Sequence, residues 1–252
     1  MADSDFPLSV CMATYNGERY LHAQVSSILA QLAPEDELVV VDDGSSDGTV
    51  AYLEGLGDPR VRVHRNAANL GHVQSFAKVI ALARHPGIVM ADQDDEWTDG
   101  RLRAMRDALA DGPALVSANS HFMDGQGQPI APLHPDLLEA DSDRHALNIA
   151  RIFTGRAFYD GCTMALRQEL RRLVLPIPRY VESHDLWIAM AANACGSNRH
   201  LARVALRRRV HGSNASVVRR PLARKLWSRV IFLLSLLHIG QRLLTRRPGL
   251  RR

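Results

Sequence analysis

The sequence predicts an α/β fold built on a mainly parallel sheet. Short runs rich in Val, Ile and Leu alternate with segments of about ten to fifteen residues whose apolar positions recur at helical spacing. The 252 residues are 46% hydrophobic and 23% charged, which is ordinary for a chain that buries a core. This alternation favours a parallel sheet covered by helices on both faces.

The first hundred residues contain four strand and helix units. Apolar runs predict strands at 8–13, 37–43, 61–66 and 87–95, and helical spacing predicts helices at 16–32, 47–56 and 72–84. In the first helix the apolar face comprises Leu21, Val25, Ile28, Leu29 and Leu32. Because ligands of parallel sheets bind beyond the carboxyl ends of the strands, we expect a site in the loops at 13–17, 41–49, 65–72 and 92–97.

The second half has a mixed pattern. A helix near 100–110 is followed by a strand that runs into a Gly/Gln/Pro loop, a helix at 143–153 and a strand at 161–167. A helix beginning near Ser183 and a basic strand at 201–210 complete this half. These elements indicate that antiparallel strands join the sheet.

Charge is distributed unevenly along the chain. All 27 acidic residues lie at or before Asp185, whereas 15 of the 31 Lys and Arg residues follow it. Such a basic tail binds phosphate, either in nucleic acid or at a membrane surface. The apolar run at 230–240 is shorter than the roughly twenty residues of a membrane span. Two interpretations stay open: an interfacial helix with its apolar side in lipid, or a helix docked on the domain with a solvated basic face.

The cysteines and the first residues indicate a cytosolic setting. Cys11, Cys162 and Cys195 form no CxxC pair, which argues against a disulfide framework and against a structural zinc site. The opening segment MADSDFPLSV has acidic residues where a secretory leader has basic ones, so we expect no leader.

The loop after the second predicted strand has two interpretations. Asp42 and Asp43 in VVVDDGSSDGT could accept hydrogen bonds from a ribose or from a base N–H. Alternatively, Asp43 and Asp47 could cap the next helix while the glycines supply turn conformations.

Four carboxylates are clustered in VMADQDDEW: Asp92, Asp94, Asp95 and Glu96. Mg²⁺ and Mn²⁺ take oxygen ligands and commonly lie between carboxylates and substrate phosphates, so the cluster could bind such a cation. The alternative is an acidic helix start, which the helix dipole favours by about 0.3 to 1 kcal/mol per charge. We interpret Glu96 as a helix-cap charge of this kind.

Seven segments, in order, resemble the family 2 glycosyltransferases, and in particular their rhamnosyltransferase-like branch. They are SVCMATYNGERYLHAQVSSILAQ, ELVVVDDGSSDGT, NLGHVQSFAKVIALA, ADQDDEW, GCTMAL, ESHDLW and RRRVHGSN, and they cover about residues 7–216. The resemblance implies the GT-A fold, a Rossmann-like α/β fold of nucleotide-diphospho-sugar transferases with a mixed, mainly parallel central sheet. It also implies inverting sugar transfer from a nucleotide diphosphate to an acceptor hydroxyl, assisted by Mn²⁺ or Mg²⁺.

The resemblance also implies an organisation. Residues 1–216 would form the GT-A domain, with a nucleotide-binding half at about 7–110 and an acceptor half at about 111–216, and residues 217–252 would form a basic, amphipathic helical tail. We expect a cytoplasmic protein, peripheral on the inner face of the membrane, that extends a cell-surface glycan or a lipid-linked acceptor. The expected donor is dTDP-rhamnose or a UDP-hexose.

The resemblance assigns donor contacts to the loops. Those after the first three strands would contribute Ala13, Thr14, Tyr15, Asn16, Glu18, Asp43, Asn69, Gly71 and Lys78, with Asp43 on the uracil or thymine ring. Lys78 could equally be a solvated helix residue. In the acidic segment, Asp92 and Asp94 would form the metal-binding DxD, with Asp94 as the direct ligand and Asp92 nearer the ribose. Gln93 would be a further donor contact, and Asp95 would contact the sugar.

Asp185 in ESHDLW matches the catalytic base of the family. Inverting transfer needs a carboxylate opposite the leaving diphosphate to accept the proton of the acceptor hydroxyl. The alternative is that Glu182, Ser183 and Asp185 only cap a helix. His184 and Trp187 would contact the acceptor, although the helical spacing of Trp187 also suits a core residue.

The histidine in RRRVHGSN would complete the metal and diphosphate site. The resemblance implies that His211 is a second metal ligand and that Arg209, with Arg207 and Arg208, neutralises the donor diphosphate. A packed or surface histidine is the alternative.

Two other functions fit the sequence less well. A sugar-phosphate nucleotidyltransferase would be expected to carry a Gly-rich loop after its first strand, and ATYNGERY is not one. A non-catalytic membrane or nucleic-acid binding module would interleave aromatic residues with basic ones if it bound single strands. Beyond Leu186 the aromatic residues are Trp187, Trp227 and Phe232, so we expect no nucleic-acid partner.

Overall fold

Four β-strands alternate with helices over the first part of the chain. The computed structural model describes residues 6–212 and 222–246. The first elements are β1 (Leu8–Thr14), α1 (Glu18–Leu29), β2 (Glu37–Asp42), α2 (Thr49–Glu54), β3 (Val61–Arg65), α3 (His72–Leu82) and β4 (Gly87–Ala91). The predicted alternation is confirmed, with somewhat shorter elements.

These four strands form the parallel part of one sheet. β1 pairs in parallel with β2 and β4, and β2 pairs in parallel with β3. Val10 lies opposite Leu38 on one side and Val89 on the other, and all three are completely buried. Because both faces of these strands are covered, they read as continuous apolar runs rather than as alternating ones.

The later strands extend the sheet in mixed directions. The remaining elements are β5 (Glu96–Trp97), α4 (Arg101–Ala110), β6 (Leu115–Met123), β7 (Pro129–Ile130), α5 (His145–Thr154), β8 (Met164–Arg167), α6 (Arg171–Val174), α7 (His184–Ala194), β9 (Asn198–Arg209) and α8 (Leu222–Thr245). The strand order is β3-β2-β1-β4-β8-β6-β9-β5, with β7 paired to β6. β8 is antiparallel to β4 and β6, whereas β9 is parallel to β6. The predicted mixed, mainly parallel sheet is therefore confirmed.

Helices cover both faces of this sheet. Phe76 of α3 and Trp187 of α7 belong to one buried cluster, whereas Leu21 of α1 and Leu102 of α4 belong to the other. Successive residues of a strand point to opposite faces, so Cys11 lies in the first cluster while its neighbours in β1 lie in the second.

Two local predictions were wrong. Glu96, interpreted from the sequence as a helix-cap charge, instead forms β5 together with Trp97, and the two residues pair with Arg207 and Leu206 of β9. Residues Gly161–Thr163 form a 3-10 turn instead of the start of a strand, because the backbone N–H and hydroxyl groups of Thr163 both donate to the Asp160 carbonyl.

Helix α8 docks on the domain along one of its faces. Phe232 and Ile239 are buried in the cluster that contains α7. Arg242 donates to three backbone carbonyl oxygens, those of Leu173, Val174 and Pro176. The inner face of the helix therefore matches the docked interpretation.

The predicted boundary between residues 216 and 217 lies outside the described residues. Among the helices within 6–212 and 222–246, none is both long and apolar enough to cross a membrane.

Candidate active site

The loops after β1, β2 and β4 form one hydrogen-bonded unit. Tyr15 N donates to Gln93 Oε1 at 2.8 Å, and Gln93 Nε2 donates to Tyr15 O at 3.2 Å. Asn16, whose φ of 48° lies in the left-handed region that Asn tolerates, accepts a backbone hydrogen bond from the loop after β2 at 2.9 Å. Glu18 accepts another at 3.0 Å. Four predicted donor contacts, Tyr15, Asn16, Glu18 and Gln93, are thus brought together.

Asp42, the last residue of β2, holds the loop that follows by hydrogen bonds. Its carboxylate is completely buried and accepts hydrogen bonds from Thr14 Oγ1 and from the N–H groups of Gly44 and Ser45. Thr14 is therefore committed to a structural contact, and Ala13 lies partly buried beside it in β1. Asp42, which the sequence offered as an acceptor for a ribose or a base N–H, instead accepts from these groups of the protein, and its place before a Gly/Ser loop is the signal for that structural role.

Asp43 holds the loop after β3. Its Oδ1 accepts from Asn66 Nδ2 and from a loop N–H, each at 2.8 Å, and its Oδ2 accepts from Gly71 N at 2.8 Å. Lys78 Nζ donates to Asn66 Oδ1 at 2.6 Å, and the exposed Asn69 accepts from Gly71 N at 3.1 Å. The predicted contacts Asp43, Asn69, Gly71 and Lys78 thus share one network. Asn66 joins them and was missed, because a single Asn after a strand carries no distinctive spacing.

The acidic segment after β4 directs its carboxylates to different surroundings. Asp94 Oδ2 lies 2.7 Å from His211 Nε2, so the two predicted metal ligands meet. Asp95 is 1% exposed; its Oδ1 accepts from Arg209 N at 2.9 Å, and its Oδ2 has no hydrogen bond within the described part of the chain. Asp92, Asp95 and Cys162 each place one polar atom within 4.8 Å of the others. Asp95, predicted to contact the sugar, therefore faces the interior.

Arg209 of β9 binds the acidic segment at two points. Arg209 Nε donates to Asp94 O at 2.9 Å, and another of its nitrogens donates to Glu96 Oε1 at 2.6 Å. Its guanidinium also lies over the Tyr20 ring. Only 6% of the Arg209 side chain is exposed, and protein groups engage it. The prediction that Arg209 neutralises the donor diphosphate therefore does not match its position. Glu96 also pairs with Arg207, so it is an ion-pair partner and not a helix-cap charge.

Burial and mutual repulsion raise the pKa values of the inner groups. Burial, followed by the charges of Asp95 and Asp94, raises the pKa of Asp92 well above its usual value. Burial and Asp94 raise the pKa of Asp95 to about 7, and burial raises that of the Cys162 thiol strongly. The fully buried Arg101, which the sequence analysis missed, donates to backbone carbonyls at β4 and Cys162 and is attracted by both inner carboxylates.

Two groups of side chains in this region could hold a divalent ion. Mn²⁺ and Mg²⁺ prefer carboxylate oxygens and water, whereas thiols suit softer metals. In the group of Asp92, Asp95 and Cys162, Asp92 is half-buried, the other two are buried, and one of the three ligands is a thiol, so this group is the poorer match for these ions. Asp94 offers a carboxylate at the solvent edge with His211 beside it, at side-chain exposures of 13% and 15%. The pair of Asp94 and His211 is the better match for Mn²⁺ or Mg²⁺.

Asp185 stands at the first turn of α7 with 27% of its side chain exposed. Ser183 Oγ donates to its Oδ1 at 2.5 Å, and Gly161 N donates to its Oδ2 at 3.4 Å. Ser183 also accepts from Leu186 N at 3.2 Å, so Ser183 is the residue that caps the helix. Gly161 directly precedes Cys162, whose thiol lies within 4.8 Å of a carboxylate oxygen of Asp92, so Asp185 and the acidic segment contact the same short segment of chain.

The two predicted acceptor contacts are buried. Trp187 has no exposed surface and donates from Nε1 to Val174 O at 2.9 Å, so it is a core residue and its predicted acceptor role was wrong. His184 is 5% exposed and stacks on Phe76 with ring centroids 4.0 Å apart. Burial lowers the pKa of His184, and neither of its ring nitrogens has a hydrogen bond among the described residues. It therefore lies as a buried, neutral ring behind Asp185.

Comparison with known proteins identifies the family. The model of glycosyl transferase family 2 matches residues 9–174, which is more than half of the chain. The chain belongs to glycosyl transferase family 2. This family 2 chain is 32% identical over 138 residues to WcaA of Escherichia coli strain K12, named as a colanic acid biosynthesis glycosyl transferase; the match covers 51% of this chain and 48% of WcaA.

Two further matches bear on the family 2 chain. It is 32% identical over 98 residues to Escherichia coli WfgD, named as a UDP-Glc:alpha-D-GlcNAc-diphosphoundecaprenol beta-1,3-glucosyltransferase, with 39% of each chain covered. The chain thus spans about half, or less, of these curated relatives. S. aureus TarS 1-349 in complex with UDP-GlcNAc superposes with a TM-score of 0.68 at 18% identity, over 95% of this chain and 73% of that one. The predicted GT-A fold is confirmed, while the rhamnosyltransferase-like branch stays a prediction.

Proposed function

We propose that the chain is an inverting glycosyltransferase that moves a sugar from a nucleotide-diphosphate donor to a hydroxyl of a cell-surface glycan or lipid-linked acceptor. The observation that carries the proposal is the position of Asp185: its partly exposed carboxylate accepts from Gly161 N, and the next residue, Cys162, places its thiol within 4.8 Å of a carboxylate oxygen of Asp92. The UDP-GlcNAc complex of TarS and the name of WfgD support a nucleotide-sugar donor. A UDP-hexose and dTDP-rhamnose are the two donors we consider.

Asp185 acts as the base in this mechanism. The acceptor oxygen forms a bond to the anomeric carbon on the face opposite the diphosphate, the bond from that carbon to the diphosphate breaks, and the hydroxyl proton passes to Asp185. A single displacement inverts the anomeric centre. The hydrogen bonds from Ser183 and Gly161 orient the carboxylate before substrate binds, which removes part of the entropic cost of reaching the transition state.

Asp94 and His211 would hold a Mn²⁺ or Mg²⁺ ion. When bound, such an ion offsets the charge that builds up on the diphosphate leaving group. Arg209 supports this arrangement by fixing the backbone carbonyl of Asp94. The unit of Tyr15, Gln93 and the loop after β2 would bind the nucleoside.

The outer face of α8 supports a membrane-surface location. Large apolar side chains are exposed along it at helical spacing: Leu226, Trp227, Val230, Leu233, Leu234, Leu237 and Leu244. Arg224 and Arg246 are exposed near its two ends. An exposed apolar stripe with basic ends is typical of interfacial helices. The protein would thus lie on the cytoplasmic face of the membrane, where a lipid-linked acceptor is presented.

Co-sedimentation with anionic lipid vesicles tests this location. Replacing Leu233 and Leu237 together by Ser should reduce vesicle binding, because both side chains belong to the stripe and neither is needed for docking. Leu133→Ser is the control, since Leu133 is 57% exposed, between Leu233 at 51% and Leu237 at 72%, but lies outside α8. Unchanged binding by the double variant would exclude α8 as the contact.

A melting-temperature screen tests the donor. A ligand that binds only the native state raises the melting temperature, so UDP-sugars or dTDP-rhamnose should stabilise the protein in the presence of Mn²⁺ and less so with a chelator. Comparison of UDP with dTDP identifies the base. If no nucleotide diphosphate sugar shifts the transition, the proposed function is wrong.

A further inference from the structure

A cavity of about 210 Å³ lies beside an exposed aromatic ring in the acceptor half. Phe158, which is 39% exposed, lines it together with apolar and charged neighbours, among them Pro135, Asp136, Leu137, Arg151 and Arg156. Within residues 6–212 and 222–246, the side chains of Asp136 and Arg156 make no hydrogen bond or ion pair. An aromatic wall with a few polar groups around one cavity is the usual composition of a small-molecule site.

The ring of His134 covers one face of the Phe158 ring. The His134 ring stacks on it with centroids 4.8 Å apart and an interplanar angle of 3°. His134 Nε2 lies 3.1 Å from Asp160 Oδ2, and Nδ1 lies 3.1 Å from the Pro135 carbonyl. Both partners only accept, so both nitrogens donate and the ring is a cation, which is attracted to the face of an aromatic ring. Although burial opposes the charge, the hydrogen bond to Asp160 raises the pKa of His134.

Chain connectivity ties this cavity to Asp185. Phe158 precedes Gly161 by three residues, and Gly161 N donates to Asp185 Oδ2. Three residues span at most about 11 Å, so the backbone of Phe158 lies within that distance of Gly161, which donates to the proposed base. Asp160 fixes the connecting segment, because it also accepts from Arg208 at 2.7 Å. The segment leads into β8, which flanks β4 on the side away from β1 and the nucleotide loops.

We propose that the cavity beside Phe158 binds a sugar residue of the acceptor, with the Phe158 ring stacked on the apolar face of that sugar. This inference rests on the proposed function, because it takes Asp185 to be the base. A pyranose exposes C–H groups on one face and hydroxyl groups at its edge. Phe158 matches the C–H face, while Asp136 can accept from the hydroxyls and Arg156 can donate to them.

Steady-state kinetics with a panel of octyl glycosides as acceptors tests the subsite. Phe158→Leu keeps the apolar volume and removes the ring, whereas Phe158→Tyr keeps the ring. The Leu variant should raise the apparent KM for the glycoside about five- to tenfold, which corresponds to a stacking contact of about 1 to 1.4 kcal/mol. Its KM for the donor should not change, and the Tyr variant should behave as the wild type. Tyr180→Leu is the control, since Tyr180 is 37% exposed but contacts His238 of α8.

A binding measurement gives a second readout. In Phe158→Trp, emission of the new indole should change on addition of a glycoside, after subtraction of the emission of the wild type with its three tryptophans. An unchanged acceptor KM in the Leu variant, an equal rise in donor KM, or no change in indole emission with any glycoside would overturn the subsite. Failure of the proposed function is distinguishable, because the wild type itself would then neither bind nor use a nucleotide sugar.

Discussion

Asp185→Asn should separate proton transfer from folding and from donor binding. The amide has the shape of the carboxylate, its oxygen can still accept from Gly161 N, and its NH₂ group can donate to the Ser183 hydroxyl. The cap of α7 also survives, because Ser183 accepts from Leu186 N independently of Asp185. The substitution therefore keeps these hydrogen bonds while it removes the negative charge and the ability to take a proton.

The expected loss of transfer is about 10² to 10⁴-fold, which is the usual contribution of a positioned base. This corresponds to about 3 to 5 kcal/mol of activation free energy, at about 1.36 kcal/mol per tenfold. Donor affinity should stay at the wild-type value, because the nucleotide loops follow β1, β2 and β4 and make no hydrogen bond to Asp185 in the described residues.

Two measurements check this prediction: release of the nucleotide diphosphate in the presence of acceptor, and the shift in melting temperature caused by donor with Mn²⁺. Glu182→Gln is the matched control, since this nearby carboxylate accepts from Ser228 on α8 and has no part in the mechanism. Transfer at the wild-type rate by Asp185→Asn would refute the role of Asp185. A loss of donor binding by that variant would show that the carboxylate contributes to the donor site as well.

Three further predictions follow from individual contacts. Asp94→Ala should remove the Mn²⁺-dependent part of nucleotide affinity, measured by calorimetry. Equal nucleotide affinity of the wild type and the variant in the presence of Mn²⁺ would show that Asp94 does not bind the metal. Trp187→Ala should lower the free energy of unfolding by about 3 to 5 kcal/mol in urea titrations, because it empties a fully buried site; a small change would contradict its core position. The pKa of His134 is raised in the folded state, so its ion pair with Asp160 stabilises the protein fully below about pH 6.5 and is lost as the pH rises through the raised value. The stability difference between the wild type and His134→Gln should therefore shrink from pH 6 to pH 9, and a constant difference would contradict the charged ring.

The parallel half of the fold was predictable because its strands are buried on both faces. The apolar run 38–41, within the predicted strand 37–43, contains only Leu and Val, so it can be recognised without knowledge of its partners. The same holds for the loops of the candidate site. In a parallel sheet the strand ends meet at one edge, so Gln93 and Tyr15 could be placed together although 78 residues separate them.

Features that depend on distant partners could not be predicted. β5 has two residues, and it exists because β9 offers a pairing edge 111 residues later in the chain. Trp187 lies two residues after Asp185 in the sequence, but helical geometry directs its ring into the core, where Nε1 donates to the Val174 carbonyl. The spacing of the sequence allowed both orientations, and packing decided between them.

The acidic segment can exist as a compact cluster because β9 compensates it. Glu96 pairs with Arg207 and Arg209, Asp95 accepts from the backbone of Arg209, and Asp94 meets His211 directly after the strand. The family match ends at residue 174, yet each of these compensating groups, like Asp185, lies beyond it. The matched segment therefore contains the carboxylates predicted for the donor side but neither the proposed base nor the partners of those carboxylates. Without β9 and His211, the carboxylates of Asp94, Asp95 and Glu96 would lie close together without these partners, and their mutual repulsion would be uncompensated. The basic strand RRRVH is thus as much a part of the candidate site as the acidic segment that it faces.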